Sequence, residues 1–133
     1  MTMKAIRFHD FGEPHVLQLE DVPMPVLQDG DVLVRVHAAG VNPIDSKVRQ
    51  GMLHAMIKHS LPLTPGWDFS GVTETSAGGI DAGTAVFGKA DVSRDGAYAQ
   101  YIAVNAAALA PKPTTVDHIS AAEIRRASCR ERV

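Results

Sequence analysis

The chain has 133 residues, 45% hydrophobic and 21% charged, with a net charge of −2, the ordinary make-up of one globular domain. That balance lacks the basic footprint of a nucleic-acid binder, and no apolar run approaches the roughly 18 residues of a membrane span. The single cysteine excludes an internal disulfide, and Met1–Asp10 alternates like a strand where a signal peptide would carry an apolar block, so the cytoplasm is the expected compartment.

In chain order, Lys4–His9 reads as a first strand, closed by the turn chemistry of Phe11-Gly12-Glu13-Pro14. Val16–Val22 alternates apolar and polar residues and predicts a second strand, broken by Pro23 and Pro25. After the tight turn Gln28-Asp29-Gly30-Asp31, Val32–Ala39 alternates most clearly, with Val32, Val34 and Val36 on one face and Leu33, Arg35 and His37 on the other. A short helix follows: Asn42 suits the N-cap, Pro43 the first position and Asp45 the first turn, and Gly51 ends it. Met52–Thr64 reads as a mobile loop, Trp67–Thr75 as a strand entered through Pro65-Gly66, and Ser76–Gly83 as a small-residue turn. Ala85–Gly88 is a short strand, Asp91–Gly96 a polar loop, Ala97–Val104 a strong strand and Ala107–Ala110 a further short one, with a helix starting in Thr115–Ile124. Short strands between Gly/Pro turns with little helix predict a mainly β fold, a rolled barrel with one or two short helices.

Four segments stand out: A-A-G-V-N-P-I-D-S-K-V-R-Q-G (Ala38–Gly51), L-P-L-T-P-G-W-D-F-S-G (Leu61–Gly71), A-V-F-G (Ala85–Gly88) and G-A-Y-A-Q-Y (Gly96–Tyr101). Taken together and in order, they resemble the N-terminal GroES-like domain of the zinc-independent quinone oxidoreductase branch of the medium-chain dehydrogenase/reductase superfamily. The opening K-A-I-R-F-H-D-F-G-E-P fits as well, so the likeness runs from Met3 to about Ile124. It implies the substrate-side domain, residues 1–124, of an enzyme that reduces quinones or enones by hydride transfer from NADPH. The cofactor would be held mostly by a following Rossmann domain, which this sequence lacks. On that reading the 133-residue chain is inactive by itself, and the complete enzyme is a homodimer. Residues 125–133 hold four of the eight arginines and the cysteine, and removing their +3 takes the remainder from −2 to −5. Such a jump reads as an artefactual or disordered tail.

The resemblance also bears on metal. Zinc members place their first cysteine where Asn42 stands, and their G-H-E falls at Gly66-Trp67-Asp68. An indole nitrogen has no lone pair to offer and a neutral amide is a poor zinc ligand, so no zinc is expected. His54 and His59 lie five apart without an acidic or cysteine neighbour between them, a weak metal spacing.

By the same resemblance Asn42 would sit near the nicotinamide, with Pro43 and Ile44 beside it; helix capping alone remains the other reading of Asn42. Lys47 would reach a phosphate or polar substrate, or be a solvated surface residue; Arg49 would be solvated or paired, with Asp45 one turn earlier as a partner. Trp67 would wall the substrate pocket or pack in the core, and Asp68 would hold the local loop by hydrogen bonds. Ser46 and Lys47 stand where relatives often carry an aromatic residue, and Gly83-Thr84 departs from the usual G-D before the A-V-F-G strand. Gly78-Gly79 reads as a hairpin turn, since no G-x-G-x-x-G is present. A different function class stays open: a non-enzymatic GroES-like binding module gripping a partner through Met52–Thr64.

Overall fold

The clearest alternation in the sequence becomes the centre of the sheet. In the computed structural model, which describes residues 1–57 and 59–123, strand β3 (Asp31–Gly40) buries Val32 and Val34 completely and turns Arg35 and His37 to solvent. It is flanked by β4 (Asp68–Thr73) and β6 (Tyr101–Asn105). With β5 (Ala85–Lys89) and β7 (Leu109–Pro111) these form a five-stranded antiparallel sheet in the order β6-β3-β4-β5-β7. Strands β1 (Thr2–Arg7) and β2 (Gln18–Pro23) pair as a separate antiparallel hairpin. The one α-helix with both ends described, α1 (Pro43–Arg49), follows β3, and residues 118–123 are helical. This is the mainly β architecture with short helices that the alternation implied.

The core lies inside the curl of the sheet. Phe8, Val32, Val34, Val48, Leu63, Trp67, Phe69, Val86, Ile102 and Val104 pack together there, and each large member contributes about 1.5–3 kcal/mol by leaving water. A smaller cluster of Met3, Ala5 and Val22 seals the hairpin against Ala99 and Tyr101.

Three segments differ from the sequence expectation, each for a physical reason. Ala97–Gln100 is a bent stretch with a single bridge, Ala99 to Ala5, and is not part of β6. Its backbone bonds chiefly outside the main ladder: Ala97 N–H donates to Gly66 O (2.5 Å), Ile6 N–H to Tyr98 O (2.7 Å) and Gln100 N–H to Lys4 O (3.0 Å), while Gln100 O still accepts Val36 N–H of β3 (2.9 Å). This stretch is the strap between hairpin and sheet. Pro14–Val16 and Ala106–Ala108 are 3-10 turns, so β2 and β7 begin later than the apolar alternation suggested. Met52–Thr64 is not a free-standing loop: Leu53 and Leu61 pack on the core, Leu63 is buried, and the buried His59 ring bonds through Nε2 to Val92 O at 2.8 Å. Gly78-Gly79 forms the expected tight turn, both with positive φ, between the paired Ala77 and Ile80. The basic segment 125–133 lies outside the described residues.

Candidate functional site

A register shift in β3 builds the site. Val36 faces Gly71, but Ala38 faces Ser70 and Gly40 faces Asp68, so His37 is the extra residue of a bulge. A bulge re-aims the strand that carries it. Here it brings the end of β3 beside the start of β4 and delivers the next residues, Asn42 onward, over Asp68.

Helix α1 begins at that point. Asn42 has extended backbone angles at the N-cap, and Pro43 occupies the first turn, where its missing N–H costs nothing. The Asp45 carboxylate reaches back and accepts the Asn42 backbone N–H at 2.9 Å, half of a capping box. Asn42 is 6% exposed, and its side-chain amide donates to the Asp68 carboxylate, itself 2% exposed. The tyrosine of the G-A-Y motif closes the arrangement: Tyr98 Oη donates to Asp45 Oδ2 at 2.8 Å. Burial, aided by the Asp45 carboxylate and more weakly by Asp68 and Glu123, pushes the Tyr98 phenol well above its ordinary range. It therefore remains a donor throughout the physiological range.

Two glycines permit this closure. A Cβ on Gly66 would lie 3.0 Å from Tyr98 Cγ and closer still to Cδ1 and Cε1, and Gly66 has φ +91°. On Gly96 a Cβ would meet Pro65 C and O at 2.7 Å. The P-G-W-D and G-A-Y segments are thus two halves of one contact, the tyrosine ring lying against a backbone with no side chain in the way.

The candidates fall on different layers. Asn42 is at the centre of the network. Pro43 and Lys47 are exposed on α1, and Ile44 is half-buried against the core. Trp67, 1% exposed, belongs to the core, with Nε1–H donating to Arg94 O at 2.9 Å. Arg49 is buried and ties α1 to the first turn, its Nη1 donating to Gly12 O at 2.6 Å. Asp68 is buried and accepts the side-chain amide of Asn42, 26 positions earlier in the chain.

Several residues were not legible as site residues in the sequence. Tyr98 was visible only as part of a motif, and nothing in local spacing links it to Asp45. Glu123 lies over Gly40: a Cβ there would sit 3.0 Å from Glu123 Oε1 and 3.3 Å from Asp68 Cβ. His118 begins the same helical segment, accepts or donates at Ser70 Oγ (3.0 Å to Nδ1), and stacks on His37 with ring centroids 4.4 Å apart.

Among the described residues no group of three His, Cys, Asp or Glu side chains is placed to hold a metal ion. The Asn42 side-chain NH2 donates to the Asp68 carboxylate, and the Trp67 indole N–H donates to the Arg94 carbonyl. A cavity of about 490 Å3 lies elsewhere, between the β1–β2 hairpin and the Ser93–Gly96 loop, and no candidate residue lines it. No helix among the described residues is long and apolar enough to cross a membrane.

Comparison with known proteins gives a consistent set. The family model described as alcohol dehydrogenase GroES-like domain matches residues 28–114. A quinone oxidoreductase of Rattus norvegicus is 40% identical over 119 residues, covering 86% of this chain and 35% of that protein. An NADPH-dependent alkenal/one oxidoreductase of Arabidopsis thaliana, chloroplastic, is 36% identical over 132 residues, covering 90% of this chain and 33% of that protein. The solved structure of the quinone oxidoreductase from Coxiella burnetii superposes with a TM-score of 0.82 at 33% identity, covering 92% of this chain and 41% of the other. The chain spans about a third of the length of the curated relatives it matches.

Proposed function

The chain belongs to the alcohol dehydrogenase GroES-like domain family, and from that premise we propose that it is the substrate-side wall of an NADPH-dependent, zinc-independent oxidoreductase acting on quinones or activated carbon–carbon double bonds. The observation that carries this reading is the buried Asn42–Asp68 pair at the start of α1. By the resemblance Asn42 stands where a metal-dependent relative carries a thiolate, and the pair would offer oriented amide and carboxylate groups in its stead. A site of this kind fits chemistry supplied by a cofactor, with the protein contributing orientation and a dry environment.

NADPH, when bound, supplies the hydride. Asn42 would orient the carboxamide of the nicotinamide or the acceptor carbonyl, having two donors of which one is engaged by Asp68. Pro43 and Ile44 would shape the edge of the pocket, and Trp67 its floor through packing. Lys47, exposed one turn further along α1, is available to a phosphate or a polar substrate. In this reading residues 1–124 form one wall of the cleft, a dinucleotide-binding domain forms the other, and the complete enzyme works as a cytoplasmic homodimer. The likeness to quinone and alkenal/one oxidoreductases supports the acceptor class.

The test has two arms. Titrated alone with NADPH and followed by its fluorescence, the 133-residue chain shows no saturation in the micromolar range. Joined to the remaining two thirds of the rat relative, it oxidises NADPH in the presence of a quinone, and Asn42→Ala lowers kcat by about tenfold or more, the scale of lost orientation. Micromolar NADPH binding by the chain alone, or full activity in Asn42→Ala, would overturn the assignment.

A further inference from the structure

The Asn42 carboxamide is useful only if its direction is fixed, and its own bond to Asp68 is one constraint. A second reaches it from far away in the sequence. Tyr98 Oη donates to Asp45 Oδ2 (2.8 Å), and the same oxygen accepts the Asn42 backbone N–H (2.9 Å). One carboxylate oxygen therefore joins the strap to the residue that starts α1. The strap is itself fixed, because Ala97 and Tyr98 donate their backbone N–H groups to Gly66 O (2.5 Å) and Pro65 O (3.1 Å). Asp68, the residue that holds the Asn42 side chain, is two positions beyond Gly66. The two anchors of Asn42, backbone and side chain, are thus referred to the same rigid turn.

We infer that Tyr98 is a positioning residue of this site: through Asp45 it fixes the backbone at Asn42 and so sets the direction of the Asn42 carboxamide. Its hydroxyl does not need to touch cofactor or substrate. The functional meaning of this role rests on the reading given under Proposed function, but the geometry can be tested without cofactor.

The chain contains two asparagines, Asn42 and Asn105, so their side-chain amides are separable in a 15N-labelled sample of the full chain, with Asn42→Ala giving the assignment. Asn105 serves as internal control, since its Oδ1 accepts Ala107 N–H at 2.9 Å in the turn at the far end of β6 from the strap. Tyr98→Phe removes the hydroxyl and keeps the ring against Gly66. The expected result is a shift of the Asn42 side-chain pair and an increase of about tenfold in exchange of the Asn42 backbone amide, the scale of losing one ordinary hydrogen bond, with the Asn105 pair unmoved. Asp45→Asn, which weakens the shared acceptor, reproduces the shift. An unmoved Asn42 pair in Tyr98→Phe overturns the inference, and so does a shift that Asn105 shares, because that marks general loosening. Failure of NADPH binding in the joined enzyme would sink the functional reading and leave this result standing.

Discussion

Replacing Gly66 by alanine probes the contact between the two motifs directly. The backbone there has φ +91°, a conformation that costs an L-residue about 1–2 kcal/mol. The new Cβ would also lie 3.0 Å from Tyr98 Cγ and nearer to two other ring carbons, an overpacking worth about 1–3 kcal/mol. Together the loss is about 2–5 kcal/mol. For a chain of 133 residues, between the small and medium size classes, that lowers Tm by about 6–20 °C. The two contributions separate in a double-mutant cycle. In a Tyr98→Ala background the ring is gone, so Gly66→Ala costs only the backbone part, about 1–2 kcal/mol. In a Tyr98→Phe background the ring remains and the full cost returns. Urea unfolding followed by the fluorescence of the single tryptophan, which is 1% exposed when folded, reads all of these variants. An equal cost of Gly66→Ala with and without the aromatic ring would refute the proposed packing.

Three further outcomes are expected. The Arg94 guanidinium holds the Asp31 carboxyl below its ordinary value of 3.8, helped by the Gln28 N–H and opposed by burial; the stability this contributes is complete above about pH 3.8 and is lost as pH falls through the lower folded value, so Asp31→Asn, which costs about 2 kcal/mol at pH 7, flattens the acid limb of a Tm–pH curve. Burial, then His37, and more weakly Lys112, lower the His118 ring below 6.5 against the opposing pull of Asp117; the folded state is favoured above pH 6.5 and loses that advantage as pH falls through the depressed value, so an NMR titration gives His118 a midpoint below 6.5 that rises in His37→Ala. Trp67→Phe keeps an aromatic ring in the core but deprives Arg94 O of its donor at 2.9 Å, lowering stability by about 1–3 kcal/mol as measured by urea unfolding with circular dichroism; an unchanged midpoint would show that the bond contributes nothing.

Local order was legible in the sequence because local order is written in adjacent residues. The alternation of Val32, Val34 and Val36 marked β3, the run Asn42-Pro43 with Asp45 marked the start of α1, and Gly78-Gly79 marked a turn between paired residues. Each depends on backbone preference or a period of two or 3.6. The motif set also pointed to the family whose model matches residues 28–114. The partners of these elements were a different matter. Asn42 meets Asp68 across 26 positions and Tyr98 meets Asp45 across 53, and no periodicity reports either distance. Those meetings follow from the bulge at His37, which sets the register of β3 on β4, and from the strap that leaves β6 to bond Gly66. The burial of Trp67 in the core was likewise decided by packing, since its sequence neighbours allowed it either face. Sequence fixes what each segment can be; sheet register and close backbone approach decide which side chains share a site, because they act between segments that are strangers in the chain.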